Sequence, residues 1–190
     1  MSTSARRVHH TYAEYLAVEE EASVRHEYFD GEIYAMARGS PDHAALAASL
    51  IAATGSQLSP GFRMFTSDLR VRVPATGVST YPDAAVVCGR TLRAPDDALA
   101  VVNPLLLVDV TSPSTEEYDR YEKLRHYKHL PSLREVLIAS HRATHLTLHR
   151  REEFGWTVLT AERGEVLMLA SVAARLAVDE VYRDALEDSE

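Results

Sequence analysis

Short apolar runs separated by turn-forming residues recur along the chain, a pattern that predicts a mixed α/β protein rather than a helical bundle. Residues 11–20 predict a short helix. Thr11 and Glu14 have the T-x-x-E spacing of a capping box, and Tyr12, Tyr15 and Leu16 share one face. Residues 27–36 predict a hairpin, because Asp30-Gly31 is a two-residue turn signal between apolar flanks. Residues 41–58 predict an Ala- and Leu-rich helix, with Ser40 as N-cap and Pro41 at its first position. Residues 62–73 alternate as one half-buried strand, with Arg70 and Arg72 on its polar side. Residues 83–87 predict a short strand and 89–103 a loop. Residues 105–110 are a continuous apolar strand of the kind buried on both faces. Ser114-Thr115-Glu116-Glu117 is a second capping box, opening a helix that runs to about His129 and ends at Leu130-Pro131. Residues 135–139, 145–149, 156–160 and 166–169 predict strands, the last two as a peripheral hairpin or meander, and a helix closes the chain at 178–187. The sum is a central mixed sheet flanked by helices, with an N-terminal helix and hairpin and extra C-terminal strands.

A length of 190 residues predicts one domain spanning 1–190, with residues 1–10 as a flexible terminus. The chain is 46% hydrophobic and 25% charged, the balance of an ordinary folded protein. No apolar run approaches the roughly 20 residues of a membrane span. Arg6-Arg7 has no apolar stretch after it, so no secretory signal is expected and the cytoplasm is the simplest location. The single cysteine, Cys88, excludes an internal disulfide; following Val86-Val87, it reads as a buried, inert thiol. The net charge of −8 argues against a broad basic surface that grips phosphates unaided. An acidic site that works with a bound cation is compatible with it.

The residues that carry chemistry cluster between 81 and 127. Asp83 opens a strand after Tyr81-Pro82, and is also readable as a turn aspartate. Asp109 ends the apolar run Leu105-Leu106-Leu107-Val108, where a carboxylate is seldom buried without a partner or a metal. Two carboxylates on neighbouring strands can hold a divalent cation. Lys123 can stabilise an anion or hold a water beside that cation, though from spacing alone it also reads as an i,i+4 partner of Asp119. Tyr127 lies on the same helical face and either packs or contacts a phosphate. Glu27 is a third candidate acid. His43 reads as a hydrogen-bonded structural residue. His126 and His129 have metal-compatible spacing without a third ligand. His9 and His10 fall in the expected frayed terminus. No P-loop, G-x-G-x-x-G, C-x-x-C or G-x-S-x-G motif is present.

These residues, from about Tyr12 to Tyr182, resemble the Uma2 family of restriction-endonuclease-like proteins within the PD-(D/E)XK nuclease superfamily. The segments that carry the resemblance are Glu27 to Tyr34, His43, Ser67 to Val71, Tyr81-Pro82-Asp83, Val108 to Thr115, the Asp119-x-x-x-Lys123-x-x-x-Tyr127 helix and Pro131 to Glu135. The resemblance implies a restriction-endonuclease-like core. It implies that Asp83, Asp109 and the Val110 carbonyl hold Mg²⁺ or Mn²⁺ and that Glu27 is an additional acid. Lys123 would reach the site from a helix in place of the superfamily's strand lysine, whose position here is Thr111. Asp109 stands where most members carry Glu, one methylene longer. The implied activity is Mg²⁺-dependent hydrolysis of DNA phosphodiester bonds, in a homodimer that cuts duplex DNA. The rival expectation is a non-catalytic nucleic-acid- or protein-binding module on the same fold. A third is a different metal hydrolase built on the histidines.

Overall fold

The computed structural model describes residues 9–36, 39–112, 122–183 and 185. In chain order the elements are α1 (Tyr12–Glu21), β1 (His26–Phe29), β2 (Glu32–Ala35), α2 (Pro41–Gly55), β3 (Phe62–Thr66), β4 (Arg70–Val73), β5 (Val78–Thr80) and β6 (Ala84–Cys88). They continue with β7 (Arg93–Ala94), β8 (Asp97–Val101), β9 (Leu106–Val110), α3 (Leu124–Tyr127), β10 (Glu135–Ala139), β11 (His145–Glu152), β12 (Gly155–Glu162), β13 (Val166–Leu169), β14 (Ala174–Ala177) and α4 (Val178–Tyr182).

Two mixed six-stranded sheets carry the molecule, in the orders β12-β11-β10-β9-β6-β3 and β2-β1-β5-β4-β8-β7. In the first, β9 and β10 run parallel and the other pairs antiparallel. Strand periodicity explains how β9 serves two cores. Leu106, Val108 and Val110 face α2, α4 and the small β13–β14 sheet, together with Leu46, Leu50, Leu137 and Leu148. Leu107 points the other way, with Ile138 of β10, into a layer shared with α3 through Leu124 and Tyr127 and with the second sheet through Val71 and Val73. Asp109, two residues on from Leu107, follows it toward that inter-sheet layer.

Local signals hold at several elements. Glu14 N–H donates to the Thr11 hydroxyl at 3.2 Å, and Thr11 N–H donates back to Glu14 Oε2 at 2.6 Å, closing the capping box. Ser40 caps α2 through His43 N–H at 3.1 Å. The β1–β2 turn places Asp30 at φ 47° and Gly31 at φ 79°, the left-handed geometry that Asp-Gly favours.

Elsewhere the expectations change. The alternating stretch 62–73 is two strands in different sheets, because Thr66 to Leu69 makes a turn closed by Leu69 N–H to Thr66 O at 3.1 Å. Alternation cannot distinguish one strand from two that resume in phase. Nor is β4 half-buried: all four residues are buried. Arg70 donates to Asp97 at 2.7 Å and Arg72 to Asp96 at 3.1 Å. The expected loop 89–103 contains β7 and β8, and β8 pairs in parallel with β4, a partner about 30 residues distant that no local pattern reveals. β12 forms its hairpin with β11, while β13 pairs with β14, which lacked a strand signal. Cys88 is exposed at the end of β6, not buried. His10 N–H donates to Gly31 O at 2.7 Å and Tyr28 OH donates to His10 O at 2.7 Å, so residues 9–10 dock on the hairpin. The remainder of the expected flexible terminus, the Ser114 capping box and Asp119 lie outside the described residues.

Candidate active site

The β6–β9 ladder ends at the pair Ala84↔Val108, so Asp83 and Asp109 are the next positions out on two adjacent strands. The ladder stops because Pro82 has no N–H to give and its ring cannot continue a central strand. The Asp83 carboxylate takes the place of the missing strand: its Oδ2 accepts the Val110 N–H at 2.7 Å. From the opposite side, His43 in the first turn of α2 puts Nε2 3.1 Å from the Val110 carbonyl and 3.4 Å from Asp83 Oδ2. A carbonyl only accepts, so this contact assigns the proton to Nε2.

Asp109, 2% exposed, faces Lys123 at the start of α3, with Nζ 3.3 Å from Asp109 Oδ1 and 3.0 Å from Glu27 Oε1. Glu27 comes from β1 in the other sheet, so Lys123 bridges the two sheets through one cation. Glu27 Oε1 also accepts the Thr80 hydroxyl and, at 3.3 Å, the Tyr81 N–H. Three buried ionisable groups in one layer are tolerable only because they neutralise and hydrogen-bond one another. Tyr127, one turn after Lys123, is 1% exposed. Burial, and then the Asp109 carboxylate, push its hydroxyl well above the ordinary tyrosine range. It is a neutral wall of the site, too deep to meet a phosphate.

The structure thus places Asp109, Lys123 and Glu27 together, and links Asp83 to them through the Val110 peptide. The lysine contacts Asp109 and Glu27; the Asp119 alternative lies outside the described residues. His126 is buried elsewhere, its ring edge-on to Phe29 at 4.8 Å between centroids. Among the described residues, no three His, Cys, Asp or Glu side chains gather as a metal centre.

Sequence reasoning read His43 as a hydrogen-bonded structural residue and gave no role to Thr80 or Tyr81. His43 looked structural because its partners lie 40 and 67 residues onward. Tyr81 stood next to Asp83 in plain view, but its job is hidden: its N–H holds Glu27 while its hydroxyl donates to Glu19 Oε1 at 2.7 Å and accepts from Arg70 at 2.8 Å.

Could this set hold a cation? Asp83 and Asp109 supply carboxylate oxygens and Val110 a carbonyl oxygen, all hard donors suited to Mg²⁺ or Mn²⁺. Asp83 Oδ1 has no hydrogen-bond partner among the described residues, leaving donor capacity at the rim. The chemistry of the donor set fits. It consists of two carboxylates and a carbonyl rather than three side-chain ligands.

The family model described as "Putative restriction endonuclease", Uma2, matches residues 12–179. The chain belongs to the Uma2 family. Two Synechocystis sp. proteins, both named as uncharacterized, are similar over most of their length. Slr1290 is 37% identical over 172 residues, covering 90% of each chain, and sll1609 is 30% identical over 165 residues, covering 82% of this chain and 90% of the other. Among solved structures, one described as a "putative nuclease belonging to DUF820" from Anabaena variabilis superposes with a TM-score of 0.74. It covers 93% of this chain and 99% of its own, at 19% identity, a likeness of fold. The Uma2 fold here is therefore the expected mixed α/β nuclease-like core, enlarged by a second mixed sheet that supplies Glu27.

Proposed function

We propose that this Uma2 protein is a Mg²⁺- or Mn²⁺-dependent endonuclease that hydrolyses DNA phosphodiester bonds, acting as a homodimer on duplex substrate. The observation that carries the reading is the buried Asp109–Lys123–Glu27 cluster at the very strand end where Asp83 and the Val110 carbonyl offer oxygen ligands. A cation held by Asp83, Asp109 and Val110 O would supply Lewis-acid polarisation of the phosphate and a lowered pKa for a water. Lys123 supports the developing negative charge at the phosphorus, with Nζ held between Glu27 and Asp109 so that little reorganisation is needed. Glu27, fixed by Thr80 and the Tyr81 N–H, positions Lys123. His43 holds the Val110 carbonyl in place. The water oxygen bonds to phosphorus and releases a proton as the P–O3′ bond breaks, and the leaving oxygen takes up a proton, so none is gained or lost overall.

The test combines Mn²⁺ titration calorimetry with plasmid, linear and single-stranded DNA cleavage, on wild type and Asp83→Ala. Metal binding and cleavage that both vanish in the variant support the reading. DNA left intact by wild type and variant alike, under metal-saturating conditions, removes it.

One observation favours a non-catalytic module instead: Lys123 already contacts both carboxylates and Asp83 already holds a main-chain N–H, so these groups have partners within the protein. On that reading Mn²⁺ binds neither protein, and Asp109→Ala changes stability alone.

A further inference from the structure

At the far end of α3 from Lys123, positive charge collects without a carboxylate to balance it among the described residues. Lys128 Nζ lies 5.5 Å and the Arg151 guanidinium 4.8 Å from the centroid of the Trp156 ring. Arg151 is held in place by its Nε and Nη2, which donate to the carbonyls of Leu133 at 2.8 Å, Lys128 at 2.8 Å and Leu130 at 2.9 Å. Those bonds keep the cation in place without neutralising it. Arg134 is exposed and adjoins Arg151, whose N–H donates to the Arg134 carbonyl at 2.8 Å. Neither Lys128 nor Arg134 forms an ion pair among the described residues.

The electrostatics agree with the geometry. Burial lowers the pKa of Lys128, with no anion opposing the shift. Burial and then the charge of Arg134 lower that of Arg151. Other cations in this region are matched: Arg125 meets Glu122 and Arg150 meets Glu135. Three like charges gathered without a counterion among the described residues, in a chain of net charge −8, repel one another. A polyanion that sits against them relieves that repulsion.

The position relates this patch to the candidate site. Register carries Asp109 to Ile138 on β10 and on to Thr147 on β11, so these three share a face. Arg151 is four residues further along β11, on the same face. Two strand spacings of about 4.8 Å and four residues of about 3.3 Å put the patch roughly 16 Å from Asp109. The short helix α3 lies between them: Lys123 at its start reaches Asp109 and Lys128 just past its end reaches Trp156. A nucleic-acid strand advances about 3.4 Å per nucleotide along the duplex axis, so 16 Å is a few nucleotides.

We infer that Lys128 and Arg134, with Arg151 and Trp156 as their rigid support, form a phosphate-binding subsite that holds the DNA backbone a few nucleotides from the bond to be cut. This rests on the nuclease reading above. Its contacts go to phosphates rather than base edges, so it adds affinity without sequence preference.

The test is fluorescence anisotropy on a labelled 30-base-pair duplex between 50 and 200 mM salt, with Ca²⁺ as the divalent ion. Wild type, Lys128→Gln, Arg134→Gln and the double variant are compared, with Arg163→Gln as a control. Arg163 removes the same unit charge in the turn after β12, at the opposite end of that strand from Trp156. Each single variant should lower the slope of log K against log salt by about 0.9, and the double variant by about 1.8. That makes the double variant's affinity roughly tenfold less sensitive to salt across this range. Arg163→Gln should keep the wild-type slope, and all variants should keep the wild-type melting temperature. A double variant that binds with the wild-type slope overturns the subsite and leaves the nuclease reading intact. Wild type that binds with the expected dependence but cleaves nothing removes the nuclease reading and keeps the subsite. Wild type that does not bind DNA at all removes both.

Discussion

Lys123 Nζ sits 3.0 Å from one buried carboxylate and 3.3 Å from another, and its own side chain is 7% exposed. Lys123→Met would leave Glu27 and Asp109 facing each other without a cation. Removing one member of a buried ion pair costs about 3–5 kcal/mol, so the urea midpoint should fall, and cleavage should drop by about 10²-fold or more. A variant of unchanged midpoint would show that the cluster is not the buried pairing described. His149 gives a prediction in pH. Burial, and then the charge of Lys128, lower its pKa from 6.5 to about 4. The folded state thus favours the neutral ring, and its folded pKa lies below the unfolded one. The stability this provides is complete above pH 6.5 and is lost as pH falls toward 4. Thermal melting of wild type and His149→Gln across that window should show a steeper acid loss in wild type. Parallel curves would remove His149 as the cause.

At the scale of elements, the hairpin β1–β2 sets where Glu27 lies. Its two-residue turn has both central residues at positive φ, and Gly31 at 79° is where a side chain is strained. An added Cβ there also meets the His9 ring, which would have to move. Gly31→Ala should cost about 1–2 kcal/mol, seen as a lower melting temperature. Loosened register should also weaken the Glu27–Lys123 contact, so activity should fall further than Arg163→Gln, a surface change, makes it fall. The predicted turn, caps and buried strand β9 were readable because each depends on neighbours within a few residues. β8 and β14 were not readable, since each is a strand by virtue of a distant or weakly patterned partner. The split between β3 and β4 was hidden because alternation resumed in phase after Leu69.

For the whole molecule, no described helix is long and apolar enough to cross a membrane. The layer between the two sheets contains the cluster, so any ligand that ties Asp83 to Asp109 also ties the cluster to the sheet behind it. A cation that binds only the folded state stabilises it by mass action, about 2.7 kcal/mol at one hundred times its dissociation constant. For a chain of this size that is roughly 5–10 °C in melting temperature. Mn²⁺ should give this rise in wild type and none in Asp83→Ala; an equal rise in both would place the metal elsewhere.

By itself the sequence determined the residue types and the local geometry: carboxylates at two strand ends, a lysine on the following helix, capped helices and an Asp-Gly hairpin. Those depend on interactions over one to four residues, where spacing is nearly structure. It also carried the family, through Tyr81-Pro82-Asp83 and the segment from Val108 onward. Only the tertiary structure decided which charges meet. The union of Glu27 with Lys123 spans 96 positions and two sheets, and that of His43 with Val110 spans 67. Arg70, read as a solvent-facing residue, is buried because Asp97 waits on a strand that no local pattern announced. Contacts of that range follow from how layers stack, a global balance of burial and pairing that no window of residues contains.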